Sequence, residues 1–463
     1  MNKILNKRVG ILGLVLFVLV FSSGCTGTSN QSAQKSYKPV TLVYWSVWND
    51  EDSIVPLIEK YRKTRPNVSI EYRKKRFETY EQDLLEAMAD DRGPDVFSIH
   101  NTWVPKYKSK LLAMPSKTVV PIRYTQGNYK KEEVYTFVTK NSLTPLDVSK
   151  KFLDQVGEDV ILSGGIYGLP LSMDTLVLFY NKDILKNAGI VEPATNWSDF
   201  QENVQKMTKI DAQSNEILLS GAALGTADNI PRNFDILSLL MMQNMAPMLD
   251  SKGLASFHKK PAELADIPSV PANGALEYYV QFASPLYESY SWNTSMLDAL
   301  DSFKDGKLGY FFGYSYNRDF LKASAPQLDF DIAPVPQVGE QQKVNYASYW
   351  VESVSKKTEN QNYSWEFVQF MANEANVVDY LSIANKPTAL QSTKIINEQL
   401  QNPDLIVFAD QLLTAKSWFR GNNPAAAEDA FDQMIQSVLS GEANTTSAIK
   451  RAVAMVNLAI TGR

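Results

Sequence analysis

Apolar and polar residues alternate with two different periods along the first folded part of the chain. Val40–Trp48 (VTLVYWSVW) is rich in β-branched and aromatic residues, which predicts a strand. Ser53–Lys63 carries apolar residues three or four positions apart, which predicts a helix. Val68–Tyr72, Tyr80–Ala89 and Asp95–Ile99 then predict a strand, a helix and a short buried strand. This order is typical of an α/β layer with a mainly parallel sheet.

The same alternation returns in the second half of the chain. Thr175–Tyr180 (TLVLFY), Leu308–Phe312 (LGYFF) and Phe330–Val335 predict strands. Ser198–Met207 and Trp365–Ala372 have the spacing of helices, and the last hundred residues are almost entirely helical in pattern. We therefore expect strands and helices to alternate over most of the chain, with no internal repeat.

The N-terminus has a different pattern from the rest of the sequence. Three basic residues within the first eight precede the apolar run Val9–Phe21, and small residues follow it up to Cys25. The run has 13 residues, which is shorter than the roughly 20 that a membrane-spanning helix needs. This layout predicts a secretory signal peptide over residues 1–24.

Cys25 is the only cysteine of the chain, so no intramolecular disulfide can form. Its place directly after the signal peptide resembles the lipobox of bacterial lipoproteins, in which this cysteine is lipidated and becomes the mature N-terminus. Ser22 departs from that motif, which usually has leucine there. The alternative is an ordinary signal peptide that leaves a free thiol. Residues 26–38 are small and polar, so 25–38 is interpreted as the lipidated cysteine and a flexible tether.

Charge and catalytic motifs narrow the functional classes. The net charge is −5, and removal of the signal peptide with its three basic residues would make it −8, which argues against nucleic-acid binding. The histidines His100 and His258 lie far apart, and no metal-ligand or nucleophile motif is present. We expect no catalytic residues, no metal and no cofactor. A glycoside-active enzyme needs only two carboxylates, so that alternative stays open.

Aromatic residues are abundant and suggest a kind of ligand. The chain has 8 Trp, 22 Tyr and 21 Phe, and several lie beside short polar residues at predicted strand ends. Ligands of open α/β sheets bind beyond the carboxyl ends of the strands. Aromatic faces stack on the apolar faces of sugar rings, while polar side chains bind the hydroxyls. The pattern therefore favours a sugar binder.

Spaced motifs then point to a family. Tyr167–Pro170 (YGLP) is followed by Leu178–Asp183 (LFYNKD), after Gly93–Phe97 (GPDVF). Further pieces occur in the same order: Leu42–Trp48, Pro66–Val68, Asn196–Phe200, Phe303–Lys307, Ala333–Pro336 and Trp365–Val368. This ordered set resembles the bacterial extracellular solute-binding proteins of family 1, which include maltose-binding protein, over nearly all of residues 39–463.

The resemblance implies an α/β fold of the two-lobed periplasmic-binding-protein-like kind (type II, maltose-binding-protein-like) with a multi-crossing hinge. Lobe 1 is expected at 39–172 plus 309–352, and lobe 2 at 173–308 plus 353–463. The implied function is a monomeric lipoprotein on the outer face of the cytoplasmic membrane, at the cell surface or in the periplasm. It would capture a sugar or oligosaccharide between the lobes for the permease of an ABC transporter. The alternative is a binding lipoprotein that feeds a membrane sensor.

The resemblance also implies where the ligand binds. Asp174 is expected to bind sugar hydroxyls, and the ring of Tyr316 to stack on a sugar face. Tyr349 and Trp350 stand where the family more often has glycine. The full set of ligand-binding candidates is Trp48, Asp50, Asn101, Trp103, Asp174, Asn229, Arg232, Tyr314, Tyr316, Tyr349, Trp350, Arg420 and Asn422.

We predict that Cys25 carries the membrane anchor. Cys25→Ala removes the only thiol that can be acylated, so the protein should move from the membrane fraction to the soluble fraction. Fractionation and immunoblotting of cells that express either form measure this. A variant that stays in the membrane with the yield of the parent would contradict the lipoprotein interpretation.

Overall fold

The computed structural model of the chain describes residues 26–127, 129, 131–339 and 343–462, so the predicted signal peptide and Cys25 lie outside the described residues. The strands are β1 (Val40–Ser46), β2 (Val68–Lys74), β3 (Val96–His100), β4 (Lys117–Gln126), β5 (Glu132–Asn141), β6 (Ile161–Leu162), β7 (Gly165–Ile166), β8 (Leu169–Pro170), β9 (Asp174–Thr175), β10 (Val177–Asn181), β11 (Lys209–Ile210), β12 (Ile217–Ala222), β13 (Leu308–Gly313), β14 (Phe330–Ala333), β15 (Asn345–Ser348), β16 (Trp350–Val354) and β17 (Ala415–Lys416).

The helices alternate with these strands in the first half and dominate the C-terminal part, as predicted. They are α1 (Thr26–Ser36), α2 (Glu51–Thr64), α3 (Phe77–Ala89), α4 (Val104–Tyr107), α5 (Pro145–Lys151), α6 (Asp154–Val160), α7 (Lys182–Asn187), α8 (Trp197–Met207), α9 (Asn233–Gln243), α10 (Pro271–Val280), α11 (Ala299–Lys304), α12 (Ser315–Ser324), α13 (Gln361–Met371), α14 (Glu374–Ala384), α15 (Thr393–Gln399), α16 (Ile406–Gln411), α17 (Pro424–Leu439) and α18 (Thr445–Thr461).

The first large sheet has the strand order β2-β1-β3-β16-β8. β1 runs parallel to β2 and β3, whereas β16 runs antiparallel to β3 and β8. Helix α2 buries Ile54, Leu57, Ile58 and Tyr61, which are the positions that predicted it. Because β1 and β3 are parallel, the residues that follow them emerge at the same edge of this sheet.

The second large sheet has the strand order β11-β12-β13-β10-β14. β12 and β13 are parallel, and β10 pairs antiparallel with both β13 and β14. Aromatic side chains fill its core: Phe200 stacks on Tyr310 at 5.0 Å between ring centroids, and Phe179 contacts Phe311 at 5.7 Å. The chain leaves the carboxyl end of β13 directly into α12.

A small third sheet joins segments that lead from one large sheet to the other. Its order is β17-β15-β9; β9 lies between β8 and β10 along the chain, and β15 lies between β14 and β16. The buried carboxamide of Gln411 fastens these segments. Its Nε2 donates to Thr175 Oγ1 (2.9 Å) and Leu176 O (3.0 Å), and its Oε1 accepts from Val335 N (3.0 Å). All of the donors and acceptors that this side chain uses belong to the crossing segments.

Strand pairing bears on how the chain divides between the lobes. The segment 309–352, assigned above to lobe 1, contributes most of β13 and all of β14 to the second sheet. Of the segment 353–463, assigned above to lobe 2, α13 packs on β16 and α14 on α2, both beside the first sheet. The return crossing therefore occurs at β15. The lobe boundaries themselves stay a prediction.

The described residues of 26–38 and 119–138 form a compact unit of their own. Within it Tyr37 packs edge-on against Tyr135 at 5.5 Å. The structure has helix α1 where the sequence predicted an irregular tether. Gln, Ala and Lys are good helix formers, but the segment carries no apolar stripe that could reveal the helix by its period.

A buried carboxylate lies under the edge of the first sheet. Glu352 in β16 accepts hydrogen bonds from Asn49 Nδ2 (3.0 Å) and Ser98 Oγ (2.7 Å), and Asn49 Oδ1 accepts from the hydroxyl of Tyr380 (2.6 Å). Burial raises the pKa of Glu352 to about 7, although its hydrogen bonds oppose the shift. This network holds the loop that carries Trp48. It does so with a carboxyl group whose ionisation is unfavourable because the group is buried.

We predict that Glu352→Gln makes stability less dependent on pH. The carboxyl ionises near pH 4.5 when unfolded and near pH 7 when folded, so the folded state binds more protons between these values. The free energy of unfolding should fall as pH rises through this window, by about 3 kcal/mol at most. Urea unfolding at pH 5 and pH 8 measures it.

Glu366→Gln is the matched control for this experiment. Glu366 is also buried, but it pairs with Arg65, and despite the opposing effect of burial its pKa lies below the ordinary value. Its replacement should therefore destabilise the protein at both pH values. Equal pH dependence in the parent and in Glu352→Gln would contradict the account of Glu352.

Candidate ligand-binding site

Aromatic rings from the two large sheets meet face to face. Trp48 follows β1 and Tyr316 lies in the first turn of α12, after β13. Their rings are 5.0 Å apart between centroids and inclined by 25°. Tyr314 continues the stack at 6.1 Å and 22° from Tyr316. The carboxyl ends of β1 and β13 therefore face each other, which is where an open α/β sheet binds its ligand.

One buried carboxylate fixes the far end of this stack. Asp235 in α9 accepts from the hydroxyl of Tyr314 (2.6 Å) and from Nε of Arg232 (2.7 Å), and Nη2 of Arg232 donates to the same oxygen. The guanidinium lies 5.8 Å from the centre of the Tyr314 ring. The predicted residues Trp48, Tyr316 and Tyr314 thus form one stack, and Asp235 joins the end of that stack to the predicted residue Arg232. The spacing of Arg232 and Asp235, three residues apart at a helix start, is the signal that could have found Asp235.

The first sheet contributes an aromatic wall on the same side. Trp350 contacts Trp103 at 5.5 Å, His100 at 5.9 Å and Phe77 at 6.3 Å, and Phe77 also contacts Trp48 at 5.6 Å. The structure therefore brings together the predicted residues Trp48, Trp103 and Trp350. Phe77 is 51% exposed and was not predicted, because a single aromatic residue at a helix start has no distinctive pattern.

His100 ends β3 and is neutral in this wall. Its ring nitrogens lie 2.8 Å from Thr102 Oγ1 and 3.0 Å from Ser348 Oγ. Burial, together with the smaller effect of the positive charge of Arg232, lowers the pKa of His100 to about 3.

Asp174 has a different role from the one expected. Its Oδ2 accepts from the backbone nitrogen (2.9 Å) and hydroxyl (2.6 Å) of Ser315, and its Oδ1 accepts from Thr175 N (2.9 Å). The carboxylate thus holds the start of α12, and with it Tyr316. Burial raises the pKa of Asp174 to about 6, against these hydrogen bonds. The geometry supports Asp174 as a residue that positions Tyr316, with its oxygens already engaged by protein donors.

Lys386 approaches the same region and was not predicted. Its Nζ donates to the backbone oxygen of Trp48 (2.6 Å). Burial lowers the pKa of Lys386, and the nearby carboxylates of Asp174, Asp50 and Glu352 oppose that shift. The side chain is half-buried, so this cation lies in a recess that water can still reach.

Three predicted residues gather around another buried carboxylate. Asp159 in α6 accepts from Asn101 Nδ2 (2.9 Å), the Tyr349 hydroxyl (2.7 Å), Ser417 Oγ (3.0 Å) and Arg420 Nε (3.1 Å). Asn101 and Tyr349 are buried. Asn101, Tyr349 and Arg420 therefore form a polar bridge beside the aromatic wall. No sequence pattern marked Asp159, since its partners are far away along the chain.

The side chain of Asn229 is engaged by protein partners. Its Oδ1 accepts from the Thr226 hydroxyl and from Trp292 Nε1 (2.5 and 3.0 Å), and its Nδ2 donates to the backbone oxygens of Asn293 and Met296 (2.9 and 3.0 Å). Both lone pairs and both amide protons are therefore used. The geometry gives Asn229 the role of holding two loops together, and its place among the ligand-binding residues stays a prediction.

Asp50 and Asn422 also lie apart from the stacked rings. Asp50 is exposed and pairs with Lys74. Asn422 is exposed and its Nδ2 donates to Ile460 O (3.0 Å), at the end of α18. Both side chains are engaged by local partners, so the geometry gives neither a place in the aromatic site.

Within the ranges given above, no group of histidine, cysteine, aspartate and glutamate residues could hold a metal ion. Among the helices of those ranges, none is long and apolar enough to cross a bilayer.

We predict that Asn229→Ala destabilises the unliganded protein and leaves the ligand affinity of the folded protein unchanged. The change leaves the buried hydrogen-bonding partners of Asn229 without their donors and acceptors, so the free energy of unfolding should fall by about 2 kcal/mol or more. Denaturant unfolding measures it. The exposed Asn422→Ala, which loses one side-chain hydrogen bond, should cost less than about 1 kcal/mol. Normal stability with weakened binding would restore Asn229 to the ligand site.

Comparison with known proteins agrees with this arrangement. The family model of bacterial extracellular solute-binding proteins matches residues 47–378. Maltodextrin-binding protein MdxE of Bacillus subtilis is 24% identical over 324 residues, which cover 66% of this chain and 70% of that protein.

Solved structures share the two-lobed fold. The cyclic α-maltosyl-1,6-maltose binding protein of Arthrobacter globiformis superposes with a TM-score of 0.70 at 17% identity, over 92% of this chain and 100% of that chain. The ABC substrate-binding protein Lmo0181 of Listeria monocytogenes, in complex with cycloalternan, gives 0.67 at 17% identity, over 91% and 98%. These relatives are binding proteins rather than enzymes. Since the family model covers most of its length, this chain belongs to the bacterial extracellular solute-binding proteins.

Proposed function

We propose that this protein captures a neutral oligosaccharide between its lobes and delivers it to the permease of an ABC importer. We further propose that it does so as an exported lipoprotein, anchored through Cys25 to the outer face of the cytoplasmic membrane. The observation that carries the proposal is the meeting of Trp48 and Tyr316, whose rings come from the edges of two different sheets.

The aromatic surfaces suit a chain of sugar rings. Trp48, Trp103 and Trp350 belong to a continuous wall on the first sheet, and Tyr314 and Tyr316 lie on the second. Such faces bind the apolar sides of pyranose rings by dispersion and by C–H contacts with the ring. Several rings in a row favour an oligosaccharide over a single sugar. The relatives named above bind maltodextrin and cyclic oligosaccharides by their names, which agrees with this choice.

The charges around the stack favour a neutral ligand. Arg232 is matched by Asp235 through a close ion pair, and Lys386 lies where the carboxylates of Asp174 and Asp50 act on it. A phosphorylated or carboxylated sugar would meet no excess of positive charge here. Hydroxyl groups, in contrast, can use the remaining donors of Arg232 and the hydroxyls of the tyrosines.

The contact between Trp48 and Tyr316 also sets a requirement for binding. Rings 5.0 Å apart between centroids leave no room for a sugar between them. A ligand must therefore part the two edges and replace the ring-to-ring contact by ring-to-sugar contacts, through a movement of the hinge segments.

We expect a thermal-shift screen of neutral oligosaccharides to identify a ligand that stabilises the protein. Tyr316→Ala should weaken the binding of that ligand about tenfold, equivalent to about 1.4 kcal/mol, because the contact between ring and sugar is lost. Isothermal titration calorimetry measures the affinity. Tyr287→Ala is the matched control, because Tyr287 is an exposed tyrosine (52%) of the same large unit outside the stack. Stabilisation by no sugar, or equal affinity of Tyr316→Ala and the parent, would contradict the proposed site.

A further inference from the structure

A second cavity lies away from the stacked rings, and we call it the lysine pocket. Its volume is about 1080 Å³, and it opens between the base of the β4–β5 ribbon, α5 and the helices α13 to α15. Four lysines line it: Lys140, Lys150, Lys151 and Lys394. None of the predicted ligand-binding residues is part of its wall, so this cavity calls for a separate explanation.

The positive charge of the lysine pocket is only partly neutralised. Lys140 pairs with Glu366 at 3.0 Å, but that carboxylate is buried and also binds Arg65. Glu374, the other acidic residue of the wall, accepts a hydrogen bond from Ser392 at 3.0 Å. Among the described residues no carboxylate lies within ion-pair distance of the other three lysines. Asp147, in the first turn of α5, acts electrostatically on Lys150 and Lys151. The wall of the pocket still has more lysines than carboxylates, in a chain whose net charge is −5.

The floor of the pocket is apolar. Phe152, Leu390 and Ile395 are buried in it, and Phe370 and Val378 are partly exposed on its wall. Lysines around an apolar floor match a partner that carries negative charge next to aliphatic groups. A phospholipid headgroup with its glycerol and upper acyl carbons has this chemistry.

Within the large unit, the lysine pocket is connected to the start of β1 by a short series of contacts. The backbone nitrogen of Val40 donates to Asn67 O (2.8 Å), two residues after Arg65. Arg65 binds Glu366, which also pairs with Lys140 in the pocket wall. Three contacts and the backbone from Arg65 to Asn67 thus connect the start of β1 to the pocket. Cys25 precedes Pro39 by 14 residues, of which Thr26–Ser36 form α1, and an α-helix of that length is only about 17 Å long.

We propose that the lysine pocket rests on the anionic phospholipids of the membrane in which Cys25 is anchored. This inference depends on the lipid anchor of the proposed function and adds a second, electrostatic contact to it. Lysines near an anionic surface are attracted over about one Debye length, roughly 10 Å at 0.1 M salt. The N-terminal anchor keeps the folded domain near the bilayer, so a weak electrostatic attraction is enough to keep the lysine pocket in contact with the lipids.

The test uses the full-length lipidated protein, purified from membranes and reconstituted into vesicles of phosphatidylcholine with or without phosphatidylglycerol. Hydrogen exchange followed by mass spectrometry then reports each segment separately. With phosphatidylglycerol, the amides of residues 140–151 and 390–396 should exchange roughly tenfold more slowly. High salt should remove the effect.

The triple variant Lys150→Gln/Lys151→Gln/Lys394→Gln should lose this protection and keep its melting temperature, because the three side chains are exposed. The control Lys186→Gln/Lys209→Gln/Lys252→Gln removes the same charge from exposed lysines elsewhere and should keep the protection.

Three results would overturn the inference. Equal exchange in both kinds of vesicle, with the protein still floating with them, would refute the lysine pocket as a lipid contact and leave the anchor intact. Protection by soluble glycerol phosphate without vesicles would identify a site for a small anion instead. A protein that floats with neither vesicle would show that the anchor itself is absent, which also removes the basis of this inference.

Discussion

The geometry of the site depends on the hydrogen bonds that fasten the crossing segments to one another. Gln411 is the centre of this fastening, since its carboxamide binds backbone or side-chain atoms next to β9, β10 and β14. The third sheet adds the backbone pairing of β15 with β9 and β17. Because β8 and β16 of the first sheet and β10 and β14 of the second sheet adjoin these segments, the crossings limit where the edges that carry Trp48 and Tyr316 can meet.

Buried carboxylates then position the side chains at these edges. Asp235 orients Tyr314 and Arg232, Asp159 gathers Asn101 and Tyr349, and Asp174 holds the start of α12. Each accepts several hydrogen bonds, which is what makes a buried carboxylate tolerable. The stacked rings are thus held by polar groups behind them, and support of this kind gives a binding site its fixed geometry.

The sequence predicted the elements of this fold more reliably than the roles of single polar residues. Apolar positions such as Ile54 and Leu57 report burial through their period, and the structure confirms the helix that they predicted. The aromatic residues at strand ends were also brought together as expected. Asn229 and Asp174 could not be understood in this way, because their partners come from distant segments. A polar residue at a strand end looks the same whether it binds a ligand or another loop.

The stack of Trp48 on Tyr316 has a consequence for the protein before it meets any sugar. Binding proteins that rely on aromatic surfaces would expose them to water whenever they are empty, and exposed apolar patches promote self-association. Here each ring covers one face of the other, and Phe77 covers part of the indole edge. The empty protein thereby covers part of its own aromatic surface, which reduces the apolar area available for self-association.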